Sequence, residues 1–267
     1  MLAEVRATRP APDDTHFIVF IRTWKRSTLE VMKSETVRLF QTLPHPCGYF
    51  VGRTAQNLVI DPSAPHLPRM YAHALTRGYR RAGGHVYHPQ CPQCRACVPA
   101  RIPIADFKPD RSQRRCLSRN DDLSMSIVPA RYSHEYFTLY QRYLETRHPG
   151  GGMDDPDPQD FSRFLYTEWS PTSFVELRNA AGTLLAVAVT DVATTGLSAV
   201  YTFFEPDEHA RGLGTYAILR QIELARTRGL PHLYLGYWIA AHPKMDYKAR
   251  FRPLELLGAE GWQVCKR

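Results

Sequence analysis

From residue 172 onward the chain alternates between element types in an order that few folds accommodate. Thr172 to Arg178 reads as a strand, Asn179 to Gly182 as its turn, and Thr183 to Val192 as an antiparallel partner. Leu197 to Phe204 is a third strand. ARGLGTYAILRQIELARTRGL then supplies a glycine-bearing loop and a long helix, with Tyr216, Leu219, Ile222, Leu224 and Ala225 on its apolar face. Leu233 to Trp238 comes next as a strand.

Three antiparallel strands, a helix opened by glycines and a further strand make the order of a GNAT-like acyltransferase core. The fold class expected is therefore α+β, with that core preceded by a cysteine-containing domain. Upstream, the periodicity predicts a helix over Arg69 to Arg81, stopped by Gly83-Gly84, and another over Ser133 to His148. A third is expected over Phe161 to Trp169, after an exposed Gly/Pro/Asp loop at Pro149 to Asp160. His85 to His88, Val98 to Ile104 and Leu123 to Val128 read as extended segments, and RSQRRCLSRNDD as a basic helix or ordered loop. The division expected is 1–31, an unmatched extension; 32–128, the cysteine-bearing domain; and 129–267, the GNAT-like domain. Residues 1–31 share no pattern with the rest of the chain, and Met32 opens MKSETVRLF, so Met32 is the expected initiator.

Six cysteines without a convincing secretory signal argue against a disulfide framework. Four sort together: Cys47, Cys91, Cys94 and Cys97, the last three within CPQCRAC. Each two-residue spacing lets two thiolates reach one metal from one tight turn. Against the plain alternative of four buried thiols, the spacing favours a metal site, and it suits structural zinc and an iron–sulfur cluster alike. Cys116 and Cys265 stand apart, and the histidines show no ligand spacing.

Charge narrows the partner. There are 34 Lys+Arg against 26 Asp+Glu, a net +8. The excess is clustered at Arg77 to Arg81 and at RSQRRCLSR, the footprint of a phosphate-rich ligand. The longest apolar runs, such as Leu184 to Val189, are too short to span a bilayer. A cytoplasmic location with no membrane partner is expected.

Two further segments carry chemistry. In Arg211-Gly212-Leu213-Gly214-Thr215, glycines before a helix let backbone N–H groups approach a phosphate; a plain tight turn explains them equally. In YLGYWIAAHPKMDYKARF, Tyr237, Tyr247, Lys244 and Lys248 interleave aromatic rings with cations, a mixture suited to a single-stranded nucleic-acid end. Asp191 closes a strand, where an aspartate can orient an amine or act as a base and can equally cap a turn, and Tyr201 lies on the next strand.

Together, the CGY at Cys47 to Tyr49, GYRRAGGHVYHPQCPQCRACVPARIPI, RSQRR, TDV, LSAVYTFFEPD, LGTYAILRQIELA and YLGYWIAAHPKMDYKARFRPLELL resemble the bacterial aspartate/glutamate leucyltransferases, relatives of the arginyl-tRNA–protein transferases. The likeness runs from about residue 35 to 260 and leaves out residues 1–31. It implies transfer of leucine from leucyl-tRNA to proteins with N-terminal Asp or Glu, marking them for degradation. It also implies a GNAT-type core working without acetyl-CoA, with no cofactor needed for the chemistry. Tyr49, Arg80, Arg81, Arg114, Arg115, Gly214, Tyr237, Lys244, Tyr247 and Lys248 are the implied substrate-binding residues, and Asp191 and Tyr201 the candidates for catalysis. His242 stands where many relatives carry cysteine, and Arg80-Arg81-Ala82-Gly83 departs mildly from an Arg-Arg-Ser-Gly pattern. Arginyl-tRNA as donor and acetyl-CoA as acyl source are the competing readings.

Overall fold

The computed structural model describes residues 17–20 by backbone alone, and residues 37–147 and 155–266 in full. Met32 and most of the loop before residue 155 lie outside them. Among the described residues the strands fall into two main sheets and one short hairpin.

The first sheet has the order β1-β2-β5-β7-β6: β1 Phe17–Phe20, β2 Leu39–Thr42, β5 Asn57–Ile60, β7 His85–Pro89 and β6 Arg80–Ala82. β3 (His45–Pro46) and β4 (Thr54–Ala55) pair separately and carry the Cys47 loop at their tip. Helix α1 (Leu67–Thr76) covers this sheet with Leu67, Tyr71, Ala74 and Leu75. The helix expected to run to Arg81 ends at Thr76 instead. Gly78, at φ +79°, turns the backbone into the left-handed region, and Arg80 enters the sheet as a strand residue.

The second sheet has the order β15-β14-β8-β13-β12-β11-β10-β9. Its members are β8 Val98–Pro103, β9 Ser124–Pro129, β10 Thr172–Arg178, β11 Leu184–Ala193, β12 Gly196–Phe204, β13 His232–Trp238, β14 Glu255–Gly258 and β15 Gly261–Val264. The three antiparallel strands and the parallel return after a helix stand as expected. However, the sheet crosses the boundary expected at residue 128. β8 sits between β14 and β13, and β9 extends the far edge beyond β10.

Helices cover both faces, which is why β11, LLAVAVTDVA, is buried almost throughout. α5 (Leu213–Thr227) and α2 (Arg111–Arg119) pack on one face. α3 (His134–Arg147) and α4 (Pro158–Leu165) pack on the other, with Phe161 as hub. α4 starts earlier than its apolar pattern suggests because Asp157 caps it, accepting from the Asp160 N–H at 2.7 Å. It also stops at Leu165, short of the Trp169 expected.

One buried ion pair ties the two sheets together. Asp191 and Arg81 are both fully buried, and the guanidinium meets the carboxylate through two bonds of 2.8 Å. The same carboxylate accepts from Tyr71 Oη and from Thr172 Oγ1, each at 2.6 Å. Arg81 spends its remaining donors on the carbonyls of Gly83 and Leu165. β6, α1, β10, β11 and the end of α4 thus converge on one charge pair. Removing one partner strands the other in a low-dielectric interior. Asp191→Ala is therefore expected to cost on the order of 3–5 kcal/mol in chemical denaturation; a loss below about 1 kcal/mol would show that the pair does not hold the sheets together.

Candidate active site

β12 and β13 pair as parallel neighbours only at Leu197–Leu233 and Ser198–Tyr234. Beyond that point they splay, and a cavity of about 650 Å³ opens between them. Backbone groups freed at such a split need other partners. Arg80 enters from the first sheet and donates through Nη2 to the Val200 carbonyl. Gly236 makes the entry possible. It sits at a register shift of β13 with φ +71°, and a Cβ there would lie 2.7 Å from Arg80 Nη1.

Tyr49, Arg80, Tyr201, Gly214, Lys244, Tyr247 and Lys248 all line this cavity, as the sequence pattern requires of a common site. Sequence reasoning missed Arg147, at the last turn of α3, and Arg250. No periodicity or spacing distinguishes either from a surface arginine. Among the described residues the lining therefore holds five Lys or Arg side chains (Arg80, Arg147, Lys244, Lys248, Arg250) and no Asp or Glu. The other wall is apolar, with Val200, Phe204, Leu213, Ile218 and Leu235.

The electrostatics reflect this imbalance. Lys248 is 3% exposed, and its Nζ donates to the Tyr237 carbonyl. Burial, reinforced by the Arg80 charge, pushes its ammonium down to about 7. Arg80 keeps its charge, with the hydroxyls of Tyr87, Tyr49, Tyr237 and Tyr247 near it and no ion pair to an acid among the described residues. Burial, with Tyr143 and Tyr140 nearby, holds the Tyr201 phenol far above its usual range. Tyr201 Oη also lacks a hydrogen-bond partner among the described residues. It is a hydrogen-bond donor awaiting an acceptor, not a base at neutral pH.

Five expected site residues lie elsewhere. Asp191 has both carboxylate oxygens taken by Arg81, Tyr71 and Thr172, so none is left to orient an amine; Arg81 is equally committed. Tyr237 is 1% exposed, with its hydroxyl 3.0 Å from the carbonyls of Gly78 and Tyr87, and acts in the core. Arg114 is exposed on α2 and bonds the Pro109 carbonyl at 2.7 Å, outside the cavity. Arg115, on the same helix, faces a small neighbouring hollow with Arg119 and Gly212. Arg211, in the glycine segment, is held by Asp122 at 2.8 Å and Glu208 at 3.0 Å.

The four cysteines gather at the tip of the β3–β4 hairpin and the turn after β7. Burial pushes the Cys97 thiol up to about 11, with Cys47, Cys91 and Cys94 adding to the effect. Cys94 is lowered by the Ala96 N–H and by Arg53, whose Nη1 lies 3.5 Å from its sulfur. Cys91 Sγ points to the Gln56 carbonyl at 3.8 Å. As placed, no three His, Cys, Asp or Glu side chains among the described residues form a metal-holding group. The thiols are neighbours without forming a closed ligand set as placed.

Comparison with known proteins agrees with the motif reading. Residues 45–115 match the family described as arginine-tRNA-protein transferase, N terminus, and residues 135–258 match its C terminus. An aspartate/glutamate leucyltransferase of Stenotrophomonas maltophilia is 55% identical over 86% of this chain and 94% of its own length. One from Xylella fastidiosa is 50% identical over 86% of this chain and 92% of its own. The chain belongs to this leucyltransferase family. Among solved structures, the C-terminal domain of a putative lysylphosphatidylglycerol synthetase from Agrobacterium fabrum is similar at 16% identity, with a TM-score of 0.46 over 72% of this chain and 66% of that one. No helix among the described residues is long and apolar enough to cross a membrane.

Proposed function

We propose that this protein transfers leucine from leucyl-tRNA to the N-terminal amine of proteins that begin with Asp or Glu, on a GNAT-like core in the cytoplasm, and so marks them for degradation. The observation that carries the reading is the cavity's composition among the described residues: five cationic side chains, an apolar wall and no carboxylate. An acidic acceptor side chain and a phosphodiester end suit the cations, with Arg80 at the split between β12 and β13. A leucyl side chain suits the apolar wall. An arginyl group would place a guanidinium among cations with no acid among the described residues to receive it, at a desolvation cost left unrepaid. Acetyl-CoA as donor would leave the cysteine cluster and the arginine clusters without a role.

The chemistry asks little of the protein. The acceptor amine attacks the ester carbonyl, a tetrahedral oxyanion forms, and the tRNA ribose hydroxyl leaves. Positioning both substrates in one cavity supplies much of the rate. Tyr201 Oη, protonated and unpaired, is the oxyanion donor we assign. The attacking amine must first lose a proton from an ammonium of pKa about 8. Positive neighbours disfavour the charged form, so the cavity field assists that loss.

The decisive assay mixes purified protein with leucyl-tRNA or arginyl-tRNA and peptides beginning with Asp, Glu or Ala. Leucine on Asp and Glu peptides alone is the expected result. Arginine in its place would keep the mechanism and correct the donor, and no transfer from either would end the reading.

Arg80→Met gives a second test, in pH dependence. The neutral amine is the reactive form, so the rate rises with pH through the amine's pKa in the cavity. Removing the Arg80 charge relieves the depression of that pKa. The acidic limb of kcat for an Asp peptide, which reports the bound amine, is expected to move to higher pH, together with a weaker KM. An unmoved limb would show that the Arg80 field does not act on the amine.

For the cysteines, we propose a structural zinc ion or iron–sulfur cluster held by Cys47, Cys91, Cys94 and Cys97 after their side chains rotate inward. Elemental analysis of purified protein is expected to find zinc or iron bound, and Cys94→Ser to lose it. Metal-free protein with full activity would retire the site.

A further inference from the structure

We propose that the outward face of α2 docks the base-paired acceptor arm of the donor tRNA, and that the groove beside it leads the unpaired end into the cavity. The inference rests on the transfer reading above and adds where the polyanion lies. α2 carries Arg111, Arg114, Arg115 and Arg119, all exposed, at offsets of three, four and eight residues. Those offsets place them along one face of a helix. Gln113, Cys116 and Asn120 are buried on the opposite face. The four arginines span roughly 12 Å at a rise of about 1.5 Å per residue. None forms an ion pair among the described residues; Arg114 and Arg119 reach only backbone carbonyls. Like charges at such spacings repel along a helix. A phosphate backbone relieves that repulsion, and it does so without reading sequence.

The helix is also fixed to both borders of the cavity. Asp110 and Gln113 form a reciprocal cap at 2.8 and 3.0 Å, and Gln113 Nε2 donates to the Arg250 carbonyl at 3.0 Å. Asn120 Nδ2 donates to the Arg211 carbonyl at 2.9 Å, just ahead of α5. Between the start of α2 and the Tyr247 to Arg252 segment runs an open groove of about 900 Å³. It shares Thr215, Tyr247 and Arg250 with the central cavity, so the two adjoin. Tyr247 stands at the junction with 40% of its surface exposed, an aromatic face on which an unpaired base can stack. The surface thus runs from a rigid arginine face, through a groove with one exposed ring, to the site of the ester. That is the order of duplex, single strand and aminoacyl end in the donor.

The test reads binding without transfer. Labelled uncharged tRNA, an acceptor-arm minihelix and a single-stranded oligonucleotide ending in CCA are titrated with wild-type protein and with the Arg111→Gln/Arg114→Gln/Arg115→Gln triple variant, across a salt series. The expected result is a loss of tenfold or more for tRNA and minihelix alike, with the log–log salt slope shallower by about 2 to 3, near 0.9 per lost phosphate contact. Affinity for the single-stranded oligonucleotide is expected to change less than twofold. A misfolded variant would lose all three ligands, so Arg119→Gln alone serves as the second variant, with a slope change of about 1 expected. Minihelix affinity within twofold of wild type would overturn the proposal. So would unchanged tRNA binding with lost binding to phosphatidylglycerol vesicles, which would assign the face to a membrane. Absence of leucyl transfer alongside an intact minihelix effect would remove the transfer reading and leave this surface standing.

Discussion

The site depends on a guanidinium standing where two parallel strands part. Once β13 leaves β12 after Ser198 and Tyr234, the Val200 carbonyl has lost its ladder neighbour on that side. Arg80 fills the opening and serves that carbonyl, and Gly236 leaves the room it needs. A carboxamide or hydroxyl would serve the carbonyl equally well. Arginine there does something more: it commits the floor of the cavity to a positive charge that no acid among the described residues balances. A charge held this way is costly to the free protein and favourable once an anion arrives. The fold defect and the binding site are thus one feature.

The next residue shows how narrowly such roles are separated. Successive side chains in a strand point to opposite faces. Arg80 therefore faces the cavity while Arg81, one position on, faces the interior and closes on Asp191. The pair joins the two sheets, and so sets where β6 delivers Arg80. In the sequence the two arginines are indistinguishable, and Asp191 at a strand end resembles a catalytic carboxylate. Only the tertiary register places one arginine at the cavity and gives the other to architecture.

Locality decides how much of the fold is legible in the sequence. The last third of the chain can be read because its pairings are local: β10 with β11, β11 with β12, and α5 returning the chain to β13. The insertion of β8 between β13 and β14 cannot, since it joins residues 129 or more positions apart. Tyr237 and Tyr247 look alike within one aromatic, basic run. Yet the first belongs to a strand with its ring in the core, and the second lies beyond the strand and stands exposed. Burial separates them, and burial is a property of the whole fold. The helix expected to reach Arg81 stops short for a smaller reason: the Tyr71, Leu75, Tyr79 rhythm continues past Gly78, whose positive φ ends the helix before the rhythm does.

A cationic cavity also answers a chemical difficulty particular to this reaction. The nucleophile is an amine that arrives protonated, and the described lining supplies no carboxylate to take its proton. Lys248 shows what the environment does to an ammonium: burial and the Arg80 charge bring it down to about 7. The acceptor's own ammonium starts lower, near 8 against about 10.4 for a lysine. In the complex we propose, it enters the same field, attached to a side-chain carboxylate that the cations would hold. The attraction for the carboxylate and the repulsion of the ammonium come from the same charges, so binding and activation of the nucleophile are coupled. An acceptor without the acidic side chain meets the repulsion without the attraction. Selectivity for Asp and Glu then arises from the electrostatics that prepare the amine.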